Sequence, residues 1–353
     1  MDVEERLNLI KRPPTEEIIT EKELRDKLQA GDKIRHYIGF EISGLIHLGT
    51  LLCAEKVNDL IEAGIECTIY LADWHSYLNK KLGGNWENIL KASKYWEKAF
   101  KFYCPKAKII LGSDLYFNNN EYWKDIVRFS SQVNLTRISR CLTILGRTSK
   151  EKLNFAQYFY PIMQAVDIKY LGPELAHGGM DQRKIHVLAR EVYPKLGWKK
   201  PIALHHHLLM GLIQPSINEK MSKSEIKIAF KMSKSVPKSA IFIHDSAEEI
   251  KRKIISAWCP EKIAENNPIL EICKHLIFRK NKSMFIERER KYGGNVEFGS
   301  YEELEKSYIK GELHPLDLKA NVAKYLDKII EPLRNYFEYG ENKKLYDWIA
   351  DLQ

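Results

Sequence analysis

The sequence predicts an α/β protein in which a parallel sheet wrapped by helices precedes a helical C-terminal domain. Three observations carry this. Short apolar runs of strand character alternate with longer helical patterns between residues 34 and 111. Helix-start signatures stand at Thr20-Glu21-Lys22-Glu23 and Ser246-Ala247-Glu248-Glu249, each a hydroxyl three residues before a glutamate. Beyond residue 246 the apolar positions keep helical spacing.

The elements follow in order. Thr20 opens a helix that Gly31 can close. Residues 34–40 read as the first strand. After Gly44 the apolar positions Leu48, Leu51, Leu52, Val57, Leu60 and Ile61 suit a helix ending at Gly64. Residues 67–72 read as a second buried strand, 86–102 as a helix and 108–111 as a third strand. Ligands bind such sheets at the carboxyl ends of the strands, and residues 37–50 span the first strand-to-helix turn. Residues 214–238 are polar and without apolar period, too long for a simple connection. Helices are expected at 247–258, 269–278, 301–310 and 315–337. The expected division is an N-terminal helical segment (1–32), a catalytic domain including the 214–238 loop (33–245) and a helical domain (246–353).

Composition excludes several classes. No apolar run approaches the ~18 residues of a membrane span, and the charged start lacks a signal-peptide core. The six cysteines are scattered without a Cys-x-x-Cys pair, which fits thiols in a reducing cytoplasm. The net charge of +9 suits a polyanionic partner, or simply a Lys-rich solvated surface. His205-His206-His207 tempts a metal reading. Consecutive side chains diverge, and no acid or cysteine accompanies them at ligand spacing, so no metal site is expected.

Two motifs suit a nucleoside triphosphate. Lys-Met-Ser-Lys-Ser occurs twice, at 220–224 and 231–235, and offers cations and hydroxyls on a loop. His47-Leu48-Gly49-Thr50 puts a histidine and a tight turn at a helix N-terminus. Neither is a Gly-rich phosphate loop, which disfavours an ordinary ATPase. A third segment, 160–168, places Gln164 and Asp167 on one face of a helix that has Pro161 in its first turn. Tyr160 can point the same way. Polar groups in so apolar a stripe need partners, since an unpaired one costs about 1–3 kcal/mol. A ligand with an amine and a hydroxyl would supply them, as would a network internal to the core. At 178–184 two glycines leave a strand and a helix opens with Asp181, so that Gln182 can reach a ligand or Asp181 simply caps the turn.

Taken together, these segments resemble a class I aminoacyl-tRNA synthetase of the tyrosyl type found in archaea and eukaryotes. The resemblance covers about residues 33–338. It rests on Tyr37-Ile38-Gly39-Phe40-Glu41, His47-Leu48-Gly49-Thr50, Tyr160-Pro161-Ile162-Met163-Gln164 with Asp167, Gly178-Gly179-Met180-Asp181-Gln182, the Lys-Met-Ser-Lys-Ser motif and His314-Pro315-Leu316-Asp317. It implies a Rossmann-like nucleotide-binding domain and a helical anticodon-binding domain. The implied reaction joins tyrosine to ATP as tyrosyl-adenylate and passes the acyl group to tRNA(Tyr). Tyr37, Tyr160, Gln164, Asp167 and Gln182 would line the tyrosine pocket. His47, Gly49 and Thr50 would meet ATP, although Thr50 departs from the usual His-Ile-Gly-His form.

The second pentapeptide runs into Val236-Pro237, a strand-like 240–243 and the helix opened by Ser246, as in the family. The working site is therefore assigned to Lys231, Met232, Ser233, Lys234 and Ser235, with Lys231 and Lys234 facing the leaving pyrophosphate. The resemblance also implies that His314 and Asp317 read the first anticodon base, with Tyr292 stacking on it. Asp317, in the first turn of a helix opened by Pro315, could instead serve as N-terminal cap of that helix. Arg140 and Arg183 are candidates for the acceptor end. ATP is expected as substrate with Mg2+ carried on it, no tightly bound cofactor is expected, and a homodimer formed through the stretch after Leu111 is. Rival readings are a tryptophanyl enzyme of the same fold, a catalytically silent RNA-binding relative, and a small nucleotidyltransferase. The Gln164 and Asp167 pair favours a phenol over an indole.

Overall fold

A computed structural model describes residues 1–142, 153–216, 226 and 228–352. The chain divides into two compact units. The first comprises Met1–Gly44, Cys53–His207 and Lys344–Gln353, and the second Leu45–Leu52 and Leu208–Lys343.

The first unit is built on a six-stranded sheet of order β1-β6-β5-β2-β3-β4. Its strands are β1 (Thr15–Ile19), β2 (Arg35–Phe40), β3 (Glu66–Leu71), β4 (Lys108–Leu111), β5 (Leu175–Gly179) and β6 (Ile202–His206). All neighbours are parallel except β1, which runs antiparallel to β6. The strands expected at 34–40, 67–72 and 108–111 correspond to β2, β3 and β4, each within one residue at either end. From β2 the chain moves one way to β3, and from β5 the other way to β6. The carboxyl ends of β2 and β5 thus form the switch point where such sheets bind ligands.

Helices α1 (Val3–Lys11) and α2 (Glu21–Gln29) precede β2, and both open on reciprocal capping boxes, at Asp2 and Thr20. Helix α3 (Leu48–Glu62) follows β2, and α4 (Asp73–Leu78) and α5 (Trp86–Tyr103) follow β3. After β4 come α6 (Gly112–Tyr116), α7 (Asn120–Ser130), α8 (Leu135–Cys141), α9 (Phe159–Leu171) and, past β5, α10 (Arg183–Val192). Lys56 of α3 is wholly buried. Its ammonium donates to the carbonyls of Leu9, Ile10 and Arg12 at 3.0, 3.0 and 2.8 Å and pairs with Asp59 at 3.1 Å.

The second unit is mostly helical. Ser246 caps the helix Ala247–Ser256 by accepting from the Glu249 amide at 3.2 Å. Helices Tyr301–Lys310 and Pro315–Tyr336 agree with the expected spans to within one residue. The segment expected as one helix at 269–278 is helical throughout, with a π-helical turn, Cys273–Ile277, between Pro268–Ile272 and Phe278–Lys280. A two-stranded ribbon, β7 (Met284–Ile286) with β8 (Val296–Phe298), completes the unit. Among the described residues no helix is long and apolar enough to cross a membrane.

Candidate active site

Helix α9 sits in the core of the first unit, with every residue from Tyr160 to Ile168 buried. Its apolar faces place two polar side chains where water cannot serve them. Asp167 is completely buried, and its carboxylate accepts from Tyr122 at 2.7 Å, Tyr70 at 3.0 Å and Tyr116 at 3.1 Å. Burial pushes its pKa up to about 7, against the opposing pull of the three hydroxyls. Gln164 donates from Nε2 to the Gln182 side-chain Oε1 at 3.0 Å, while its own Oε1 is buried and accepts from no described residue.

Tyr37 on β2 is buried with its ring centre 5.8 Å from that of Tyr70. Burial, then the Asp167 charge, raises its hydroxyl well above the usual range. A Cβ at position 39 would stand 2.6 Å from the Tyr37 oxygen, so only glycine admits this side chain beside the strand. The buried Tyr160 hydroxyl bonds Glu41, which also accepts from Asn79 at 2.7 Å and pairs with Lys81 at 3.2 Å. Gly178 and Gly179 turn out to be the last residues of β5. A 3-10 turn, Met180–Gln182, intervenes, and α10 opens at Arg183 rather than at Asp181. Gly178 is required here, since a Cβ would lie 2.8 Å from that of Gln182.

In the second unit the His47 turn is pinned to the segment that follows the second pentapeptide. His47 bridges Phe242, Leu48 donates to Ile241 at 3.0 Å and Ile243 donates to Ile46 at 3.1 Å. The pentapeptide itself is hooked onto the preceding chain. Lys231 bridges Met210, buried Met232 donates to Leu209 at 2.7 Å, and Ser239 donates to the Ser233 carbonyl at 3.3 Å. Ser235 is exposed, with its amide on Ser233 Oγ at 3.3 Å. The His47 ring accepts the Gly49 amide on Nδ1 at 3.0 Å. A Cβ at Gly49 would stand 2.8 Å from that ring. Desolvation, then the charges of Lys234 and Lys231, lowers the His47 pKa to about 3. The imidazole is therefore neutral, with its proton on Nε2. Thr50 is buried, its amide on the His47 carbonyl at 2.9 Å. The first pentapeptide, 220–224, lies outside the described residues.

His314 is exposed and caps the helix Pro315–Tyr336, accepting the Leu316 amide at 3.2 Å. Asp317, half-buried, is thus not the capping residue. Tyr292 is 59% exposed, with the Lys291 ammonium 4.8 Å from its ring centre. Arg288 ties this turn to the approach of His314, donating to the carbonyls of Gly294 and Glu312 at 2.6 Å each. Arg140 is exposed in the last turn of α8. Arg183 is also exposed but ion-paired with Glu17 at 2.8 Å.

Acids and a thiol do accompany the three histidines, from elsewhere in the chain. His205 meets Glu17 at 2.8 Å, His207 meets Glu16 at 2.6 Å, and His206 lies 2.8 Å from His177 and 3.2 Å from Cys53. Among the described residues no group of three or more such side chains is arranged to hold a metal ion. Sequence reasoning missed Tyr70, Tyr116 and Tyr122. For Tyr70 a signal existed: it pairs in register with Gly39, on the face of the sheet shared by Tyr37.

A family model for class I tRNA synthetases (W and Y) matches residues 29–331. The tyrosine–tRNA ligase of Pyrococcus abyssi is 46% identical over 361 residues, covering 96% of each chain. That of Saccharolobus solfataricus is 46% identical over 345 residues, covering 96% of this chain and 94% of its own. The crystal structure of tyrosyl-tRNA synthetase complexed with L-tyrosine from Pyrococcus horikoshii superposes with a TM-score of 0.93. It is 42% identical and covers 99% of this chain and 100% of its own. A tryptophanyl-tRNA synthetase from Aeropyrum pernix, 16% identical with a TM-score of 0.67, shares the fold alone. By its sequence and by its fold, then, the chain belongs to the class I tRNA synthetases, on their tyrosine–tRNA ligase branch.

Proposed function

We propose that this protein activates L-tyrosine with ATP and transfers the tyrosyl group to the 3′ end of tRNA(Tyr), using the residues described above. The supporting observation is the buried Asp167 carboxylate beside Tyr37, in a helix that also offers the unpaired Gln164 Oε1. Asp167 and Tyr37 read the substrate phenol. Gln164, Tyr160 and Gln182 receive its ammonium. A site built to pair a hydroxyl rejects the analogue lacking it, a rule for which tyrosine–tRNA ligases are themselves a reference case.

The substrate carboxylate is already ionised and attacks the α-phosphorus directly, expelling pyrophosphate. No covalent enzyme nucleophile is needed. The protein supplies position and charge. Lys231 and Lys234 balance the charge on the departing pyrophosphate, assisted by the loop groups of Met232, Ser233 and Ser235. Neutral His47 offers Nε2–H to a phosphate oxygen, with Gly49 and Thr50 at its side. Mg2+ arrives on ATP, held mainly by phosphates and water. His314 and Asp317 read the first anticodon base and Tyr292 stacks on it, in a helical domain covering 246–353. Arg140 and Arg183 approach the acceptor end. Apolar side chains exposed after β4, among them Phe117, Trp123, Val127 and Leu135, support a homodimer formed through that stretch. The six cysteines form no disulfide, which agrees with a cytoplasmic setting.

Amino-acid-dependent pyrophosphate exchange, run with tyrosine, tryptophan and phenylalanine, tests the reading. Tyrosine alone should support exchange at micromolar to millimolar concentrations. Equal exchange with tryptophan would overturn it.

A further inference from the structure

Asp167 is over-supplied with partners for a residue that must also meet a substrate. Oδ1 accepts from Tyr122 at 2.7 Å and Tyr116 at 3.1 Å, and Oδ2 from Tyr70 at 3.0 Å and Tyr116 at 3.2 Å. Tyr70 and Tyr116 also stand 2.7 Å apart. Three hydroxyls carry three protons, and a carboxylate has about four lone-pair sites. At least one site is left for a fourth donor. We propose that Tyr122, seconded by Tyr70 and Tyr116, is a positioning residue for tyrosine recognition: it fixes the Asp167 carboxylate in its ionised form with one acceptor site turned to the incoming phenol. This rests on the assignment of Asp167 to the phenol made above.

The surroundings single out these hydroxyls. The groups facing Asp167 are Tyr37 on β2, Tyr70 on β3, Asp73 and His75 on α4, Tyr116 on α6, Tyr122 on α7 and Tyr193 just past α10. Asp73 repels the charge. His75 stands off at 3.6 Å and is kept neutral by burial, its pKa lowered to about 4. Tyr193 donates instead to the Ala165 carbonyl at 2.5 Å. Among the described residues the three hydroxyls are the groups that hydrogen-bond the carboxylate and offset the cost of burying it, and Tyr122 makes the shortest bond. It is fully buried, and one turn further along the same face of α7 Asp125 accepts from Lys169 at 2.7 Å and Tyr170 at 3.0 Å of α9. The bond therefore has little freedom to lapse.

The experiment is tyrosine-dependent pyrophosphate exchange of the full chain from pH 6 to pH 9, comparing wild type with Tyr122→Phe and, separately, Tyr116→Phe. In wild type kcat/KM for tyrosine should climb through neutrality as Asp167 ionises. Tyr122→Phe loses a charge-assisted bond, so KM for tyrosine should rise roughly tenfold at pH 7, more than kcat falls. Its profile should move to higher pH by on the order of one unit, recovering near pH 9. Tyr116→Phe, with its shared proton, should move the profile the same way by less, and stands in should Tyr122→Phe fail to fold. A normal profile in a folded variant, with only a uniform loss of rate, would overturn the inference. Asp167→Asn separates the two readings. If it retains full preference for tyrosine over phenylalanine, the assignment of Asp167 fails. If it loses that preference while Tyr122→Phe leaves the profile in place, only the role of Tyr122 fails.

Discussion

Asp167 is held in the fold at a cost to stability. Its pKa of about 7 in the folded chain stands above the ~3.9 of an unfolded aspartate. The native state therefore holds an extra proton between those values. The stability that this residue contributes is complete below about pH 4 and is lost as pH rises through 7, by on the order of 4 kcal/mol at most. Asp167→Asn removes the titration and keeps an acceptor for the tyrosines. Thermal melts of the ligand-free protein should show the variant gaining on wild type by a few degrees between pH 5 and pH 8. A difference that does not change with pH would show that the carboxyl titrates normally. Gln164 is the complementary case. Its unpaired Oε1 costs stability in the empty protein and is available to an ammonium.

At the scale of elements, the second pentapeptide is the loop whose position is built. It is hooked to Leu209 and Met210 on one side and runs into the strand-like segment paired with the His47 turn on the other. Alanine at Lys231 and Lys234 together should lower tyrosine-dependent exchange by on the order of a hundredfold. Alanine at Lys220 and Lys223 should change it by less than about threefold, the range of ordinary surface substitutions. The reverse ranking would move the working site to the first copy. Strands β2, β3 and β4 and the helices around them were legible because their apolar residues keep one period and their ends carry Gly or capping groups. Strands β1 and β6 were not. Thr15-Glu16-Glu17 looks solvated and His205-His206-His207 looks polar, yet each supplies the other's partners across 188 and 191 residues. A bulge between Thr15 and Glu17 lets adjacent glutamates meet histidines two apart. Asp167 and Gln164 could be singled out as site candidates because α9 has a clean apolar pattern with two polar positions on one face, whereas Tyr37 entered only through the family resemblance. The hydroxyls around Asp167 were not singled out, since Tyr116 closes a five-residue helix and Tyr122, at helical spacing with Ile126 and Phe129, reads as an ordinary core aromatic.

At the scale of the molecule, the first unit exposes several large apolar side chains in the stretch after β4. Phe117 is 79% exposed, and Val127 and Leu135 are each 68% exposed. Replacing Trp123 and Val127 with glutamate should convert a particle of twice the chain mass into one of single mass, read by sedimentation or light scattering. A wild type that already sediments at single mass would remove the dimer from the scheme. One further consequence follows from Lys56. Its ammonium sits in a dry interior and is satisfied by the last carbonyls of the opening helix and its exit. Residues 9–12 are thus a plug over a charge. A chain shortened to begin after Arg12 would keep the cation while discarding the oxygens that quiet it, and the damage would surface in α3, where that cation is rooted.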